Sequence, residues 1–349
     1  VTLSHGYSAS AKRSQFINLT VFCMLTFDEA FATLVPDSKA AILLGNGFSQ
    51  AWNSAIFNYA SLLQVANFQD REDQIRKLFK RLNTWDFEAV MRALLAAQIV
   101  AEVHAVGQQT IDNIKRDQEI LKQALLAAVS NNHPRLPGDL TTAQYLSVRT
   151  FLRRFSQIFT VNYDLLMYWA RNQDFEPMWR TDDGFRAKRR WSGYGTEQMV
   201  HFLHGGLHLY EGPTGIRKHA YTGKVGGGIV DQVRANLDME PPQFPLFVSE
   251  PTHQQKKQRI DRSPYLSFCL RQLETNRMPI FILGHSMDDN DAHIFEAIRK
   301  SDACQVFVSV FGDEDSDANR RLKANSLAFF GAVGKHVDFF DASTAAAWG

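Results

Sequence analysis

Four short runs in this 349-residue chain join residue types that do chemistry to the kind of place where chemistry is done. They are Gly45-Asn46-Gly47-Phe48-Ser49, Thr160-Val161-Asn162-Tyr163-Asp164, Leu203-His204-Gly205 and Gly284-His285-Ser286, each following a largely apolar stretch. In the first, two glycines allow positive φ and close backbone approach. Successive N–H groups, and the start of a helix near Gln50, are therefore expected to point at a phosphate. A plain strand-to-helix turn would carry the same residues, since the third glycine of the dinucleotide fingerprint is missing, as is the acidic residue about twenty positions on. In the other runs an amide, a carboxylate and an imidazole fall at strand ends, where open α/β sheets bind ligands. Taken singly, a strand Asn or His is usually a satisfied structural group.

Other groupings point to chemistry less directly. His201, His204 and His208 have a spacing that suits one helix face, but the Gly205-Gly206 turn argues against a helix, and no metal is expected. Asp288, Asp289 and Asn290 resemble a metal or ribose site, and a cap for a helix starting at Asp291 explains them with less. The basic, aromatic run Arg186, Lys188, Arg189, Arg190 and Trp191 reads as a solvated loop rather than a nucleic-acid contact. The chain carries 38 basic and 37 acidic side chains, so it has no overall field for nucleic acid or an anionic membrane. Cys23, Cys269 and Cys304 are odd in number and far apart. They build neither a disulfide framework nor a four-cysteine zinc module, and a cytoplasmic location is expected. No apolar run approaches the roughly 18 to 20 residues of a membrane helix.

The elements that must position these residues follow from patterning. Residues 40–44 are apolar without alternation, which predicts a strand buried on both faces, as in a parallel sheet covered by helices. Helices are predicted over 52–65 and 71–82, then over a long apolar segment to Val103 capped by Thr84-Trp85-Asp86, and over about 109–129. These form a helical insertion at about 50–155, ending with a helix from Thr141 to about Arg154. Residues 157–161 are the second buried strand. Residues 198–210 read as two strand-like arms around a Gly-Gly turn. Further strands are predicted at 245–248, 278–283, 305–310 and 337–340, with helices at 263–274, 291–300 and 316–327. Strand and helix alternate to the end, so the fold class is α/β, a three-layer parallel sheet of Rossmann-like type. Residues 1–18 lack any period, whereas Thr26 and Glu29 form a capping-box signature. The first 23 residues are expected to be disordered or an over-long reading frame, with residues 24–349 as one domain. A secretory signal is set aside because no small-residue cleavage site follows the apolar stretch.

In this order the four runs resemble the sirtuin-type NAD-binding fold, whose pattern is a Gly-Ala-Gly loop, a Thr-Gln-Asn-Ile-Asp strand end, a His-Gly and a Gly-Thr-Ser. The likeness is closer to bacterial sirtuin-like NAD hydrolases, in particular a branch with a Gly-Asn-Gly-Phe-Ser loop and an Asp-Phe-Glu helix, here Asp86-Phe87-Glu88. It spans about Met24 to the C-terminus. It implies NAD as substrate, bound by the loop Gly45, Asn46, Gly47, Phe48 and Ser49 near the pyrophosphate and by Gly284 and Ser286 near the adenosine half. It also implies that Asn162 and His204 carry the chemistry, and that Asp164 faces the nicotinamide. Physically, losing nicotinamide builds positive charge on the ribose, which an amide oxygen and a ribose-hydroxyl base stabilise without a metal. His204, with a near-neutral pKa, is expected to accept that proton. Sirtuin deacylases carry a four-cysteine zinc module and an arginine-bearing Pro-Asp-Phe-Arg segment, both missing here. The expectation is therefore NAD cleavage to nicotinamide and ADP-ribose, in an NAD-depleting antiviral effector that forms a homo-oligomer or answers to an activating protein partner. A non-catalytic NAD or ADP-ribose sensor and a zinc-free deacylase are the alternatives.

Overall fold

The computed structural model describes residues 24–175, 179–193, 196–223 and 227–349. The expectation about the first 23 residues therefore lies outside the described residues, whereas the basic run Arg186, Lys188, Arg189 and Arg190 is described and exposed, as a solvated loop requires.

Six strands form one sheet: β1 (Ala41–Leu44), β2 (Gln157–Thr160), β3 (Val200–Phe202), β7 (Ile280–Leu283), β8 (Gln305–Val310) and β9 (His336–Asp341). Their order is β3-β2-β1-β7-β8-β9, and every pairing is parallel. All four residues of β1 and of β7 are buried, because helices cover both faces and an unalternating apolar run has no solvent side to satisfy. Ala41 pairs with Gln157 on one side and Ile280 on the other, so β1 is central. The fold is the expected three-layer α/β sheet. Counting only these six strands, the spatial order is 3-2-1-4-5-6, and the chain reverses direction across the sheet between β1 and β7. Ligands of doubly wound sheets bind in that crevice, beyond the carboxyl ends of the strands.

A second, antiparallel sheet holds β4 (Gly205–Gly212), β5 (Gly215–Lys218) and β6 (Pro245–Phe247) in the order β5-β4-β6. This corrects the reading of 198–210 as two arms about a turn. The first arm joins the parallel sheet as β3 and the second leaves it, with Gly205 at φ 78°. A Cβ there would lie 2.0 Å from the Leu246 carbonyl oxygen, so the glycine is required by the crossing of two sheets and not by a hairpin.

Between β1 and β2 lie helices Asn46–Phe57, Tyr59–Val65, Glu72–Arg81, Phe87–Val103, Gln108–Asn132 and Thr142–Leu152. The first two replace the single helix predicted over 52–65. Asn53 leaves helical geometry, and Asn58, extended at ψ 154°, caps the second helix by accepting the Ser61 N–H at 2.8 Å. Asp86 caps Phe87–Val103 through the Glu88 N–H at 2.8 Å. Arg71 clamps Asp117 with two bonds of 2.6 and 3.0 Å, tying the short helices to Gln108–Asn132. The Thr26–Glu29 capping box forms as expected and starts helix Phe27–Ala32. Phe27 there packs against the rings of Phe151, Phe281 and Phe340 with centroids 5.2 to 5.7 Å apart.

Candidate functional site

The glycine loop sits at the switch point between β1 and β7, for a reason different from the one its sequence suggested. Neither Gly45 nor Gly47 has positive φ, and the helix starts at Asn46, four residues earlier than expected. What excludes side chains is the backbone of the neighbouring run. A Cβ on Gly47 would lie 2.5 Å from the Gly284 Cα, and one on Gly45 would lie 2.5 Å from the Gly284 oxygen. Gly284, at φ 71°, is locked in return. The Gly45 N–H donates to the Leu283 oxygen at 2.9 Å, the Gly47 N–H to the Gly284 oxygen at 2.8 Å, and the Gly284 N–H to Ser309 Oγ at 2.9 Å. The Asn46 N–H, in the first turn of a helix that leaves helical geometry at Asn53, has no protein partner among the described residues. It is the loop donor left for an anion. The Asn46 side chain binds the Phe57 carbonyl at 3.0 Å. Phe48 is core, its ring tilted at 45° against that of Trp348, whose indole donates to the Phe48 oxygen at 2.8 Å. Ser286 is exposed.

The strand end after β2 is wired to that loop. The Asn162 amide nitrogen donates to the Gly45 oxygen at 2.9 Å and to Ser49 Oγ at 3.0 Å. Ser49 in turn donates to one oxygen of Asp164, whose other oxygen accepts the Leu166 N–H at 2.9 Å. Burial pushes the Asp164 carboxyl up, against the pull of these bonds. Asn162 Oδ1 accepts no bond among the described residues, so this amide orients through its nitrogen and leaves its oxygen free.

The strand end after β3 carries His204, and here the structure assembles a polar cluster that joins it to His285, to Glu88 and to three residues the sequence reading had not singled out as site residues. His204 Nε2 lies 2.9 Å from His293 Nε2 and 3.8 Å from Asp291 Oδ1. Asp291 Oδ1 also accepts from Lys256 Nζ at 2.9 Å, and its Oδ2 bonds His285 Nε2 at 3.1 Å. Lys256 reaches both oxygens of Glu88, at 2.9 and 3.0 Å. Its side chain is 1% exposed, a burial tolerable only because two carboxylates surround the ammonium. Burial pushes Glu88 up to about 7, with the Asp291 charge outweighed by Lys256 but acting the same way as burial. Burial also opposes ionisation of Asp291, yet Lys256 and the His285 bond hold it well below the usual range.

Burial pushes His204 well below its ordinary value against the attraction of Asp291, which corrects the near-neutral expectation. At neutral pH the ring is uncharged, the form able to take a proton. His204 Nδ1 has no protein partner among the described residues, and the Tyr163 ring lies over the imidazole at 6.4 Å.

His201 and His208 do not join His204. His201 bonds Gln157 Oε1 at 2.7 Å, and His208 is buried between Tyr168 and Phe202. A different triplet, His204, Asp291 and His293, brings ligand atoms within 4.8 Å of one another. Within that triplet the same atoms also make hydrogen bonds in this structure. The Lys256 ammonium already occupies the Asp291 oxygen nearest His204, and the two imidazoles meet nitrogen to nitrogen, nearly coplanar at 18°. Asp288 and Asp291 make no side-chain capping bond, so the cap expected there is not formed. The Asp291 carboxylate turns to Lys256 and His285, where charge rewards it more than a helix end would.

Lys256, Asp291 and His293 were missed. The usable signals were Glu88 in the Asp-Phe-Glu run and the i, i+4 spacing of Lys256 and Ile260, the two buried residues of helix His253–Arg262. A cavity of about 410 Å³ lies elsewhere, lined by Arg190, Trp191, Glu211, Gly215, Arg262 and Ser263, none of them in the four runs.

The fold and this crevice define a doubly wound α/β protein with a nucleotide-type switch point. The chain belongs to the family described as Domain of unknown function (DUF4917), which matches residues 42–348. None of the curated proteins compared matches it. Among solved structures it is similar to Sir2Tm bound to a propionylated peptide, with 14% identity and a TM-score of 0.35, over 88% of this chain and 100% of that one. It is also similar to a Sir2 homolog–NAD complex, with 13% identity and a TM-score of 0.33, over 89% and 96% of the two chains. A mutant Sir2 homologue with ADP ribose gives 14% identity and a TM-score of 0.33, over 88% and 98%. At these values the likeness carries no argument about the reaction, which has to rest on the residues themselves.

Proposed function

We propose that the protein is an NAD hydrolase that cleaves the nicotinamide–ribose bond to give nicotinamide and ADP-ribose, in the NAD-depleting defence role that the resemblance implies. The observation that carries this reading is the crevice itself. The glycine loop, the Asn162 strand end and the His204 strand end lie on β1, β2 and β3, three adjacent strands with their carboxyl ends on one side. In this reading the Asn46 N–H and the helix start receive the pyrophosphate, and Gly284 and the exposed Ser286 border the adenosine half. Asn162 Oδ1, held by the two bonds of its own nitrogen, faces the positive charge that develops on the ribose. His204 Nδ1 takes the proton of a ribose hydroxyl, and Asp291, 3.8 Å from Nε2, offsets the charge that follows. Asp164 acts through Ser49, fixing the loop against the reacting end. Incubation of the purified protein with NAD tests it, with nicotinamide and ADP-ribose expected in equal amounts on a chromatogram.

A second reading, a non-catalytic NAD or ADP-ribose sensor, is favoured by one observation: the Asn162 nitrogen, Ser49 and Asp164 are joined in one buried hydrogen-bonded chain. NAD that raises the melting temperature but is recovered intact would select it.

A further inference from the structure

We propose that His293 is a positioning residue that accepts the Nε2 proton of His204, fixing His204 as the tautomer whose Nδ1 lone pair is free. The proposal rests on the reading of His204 as the ribose-hydroxyl base. His204 follows β3, and His293 is the second residue of helix Ala292–Lys300, so the contact joins the far side of the crevice to its β3 side. Both rings are buried, at 2% and 4% exposure. Their Nε2 atoms are 2.9 Å apart, with ring centroids 5.1 Å apart and planes at 18°, the arrangement of two imidazoles edge to edge around a single shared proton.

Two tautomer pairs satisfy that bond, and their chemistry differs. If His293 donates, the proton of neutral His204 sits on Nδ1, and the ring presents an N–H where a base is needed. If His204 donates, Nδ1 is a bare lone pair. Among the described residues no other group lies within hydrogen-bond distance of Nε2. The nearest alternative, Asp291 Oδ1, is 3.8 Å away and already bonds Lys256, while Oδ2 is engaged by His285. His293 Nδ1 is itself buried without a hydrogen-bond partner. Such an orphan destabilises the folded state, and a second imidazole at this point does nothing for packing that a phenyl ring would not do without that cost. When a ribose hydroxyl proton moves to Nδ1, one O–H bond breaks and one N–H bond forms. The Nε2–H stays, and the positive charge is shared along the N–H···N contact towards His293.

The test reads the tautomer directly. In the full-length protein with 15N-labelled histidine, two-bond nitrogen–proton correlations should show His204 protonated at Nε2 and bare at Nδ1. His293→Leu, which removes the acceptor, should shift His204 towards the other tautomer and lower kcat about a hundredfold at nearly unchanged KM, the scale of a lost positioned base. His293→Gln, whose amide oxygen can accept the same proton, should keep the wild-type tautomer and most of the rate. Should His293→Leu fail to fold, the wild-type and His293→Gln spectra still decide. A wild-type His204 protonated at Nδ1 would overturn the proposal, as would a His293→Leu protein whose tautomer is unmoved. If wild type leaves NAD intact, the hydrolase reading falls separately, because the spectra need no turnover.

Discussion

Lys256→Met is the substitution whose outcome the structure determines most sharply. The side chain is 1% exposed and touches two carboxylates, Glu88 at 2.9 and 3.0 Å and Asp291 at 2.9 Å, which are themselves 17% and 18% exposed. At an effective dielectric of about 20, each contact is worth roughly 6 kcal/mol of Coulomb attraction. Desolvating three ions costs several kcal/mol apiece, so the cluster adds little net stability while intact. Methionine fills a similar volume but strands both carboxylates, and removal of one partner from a buried pair costs about 3 to 5 kcal/mol. That loss should show at pH 8 as a lower urea midpoint with an unchanged m-value. It should shrink near pH 5.5, because Glu88, already pushed up to about 7, is then protonated in the parent as well and leaves one stranded charge instead of two. Adding Asp291→Asn to Lys256→Met should recover most of the loss, since Glu88 can take a proton and Asn carries no charge. A cost below about 1 kcal/mol at pH 8, or one independent of pH, would show that water screens the cluster and that its burial has been misread.

Asn162→Ala and His204→Ala should each lower NAD turnover about a hundredfold or more, while NAD still raises the melting temperature; wild-type turnover in His204→Ala would refute its role. Gly47→Ala should destabilise the protein even without nucleotide, because its Cβ would meet the Gly284 Cα at 2.5 Å, and an unchanged melting curve would show that the two runs do not interlock. Glu88→Gln should gain stability relative to wild type as pH rises from about 4.5 to 7. A carboxyl raised on folding contributes stability that is whole below its unfolded pKa and lost on passing its folded one, and glutamine has no such loss, so parallel urea titrations across that range would contradict the assignment. Chelator should leave the melting curve unmoved and metal analysis should find well under one equivalent; stoichiometric zinc would return His204, Asp291 and His293 to the status of ligands.

Whether a feature could be read from the sequence depended on whether its cause was local. β1 and β7 are unalternating apolar runs because both of their faces are covered, and the sequence states this outright. The capping box at Thr26 and the helix start at Thr141 each reside within four residues and were equally plain. Gly45 and Gly47 were identified as necessary, but the backbone that excludes their side chains belongs to Gly284, more than two hundred positions away. Gly205 was taken for a hairpin turn because nothing nearby reveals that Leu246 will cross it. The charged cluster was the least visible part. Lys256 and Lys257 are neighbours in one polar helix, yet one is buried between two carboxylates and the other pairs on the surface with Asp261. Only the single turn between Lys256 and Ile260 distinguishes them.

That cluster also changes what the long insertion between β1 and β2 is for. Asp86 starts helix Phe87–Val103, and its first turn places Glu88 against Lys256. The insertion thus supplies one of the two counterions of a buried ammonium whose other counterion, Asp291, bonds His285 and stands 3.8 Å from His204. If helix Phe87–Val103 moved away, Lys256 would be left with Asp291 alone, its attraction for that carboxylate undivided. The negative potential that Asp291 offers to His204 would fall, and with it the stabilisation of a protonated His204. The electrostatics of the β3 strand end are therefore completed by a helix outside the sheet, and a change in the packing of that helix reaches His204 through two ion pairs and one imidazole, without any shift of the sheet itself.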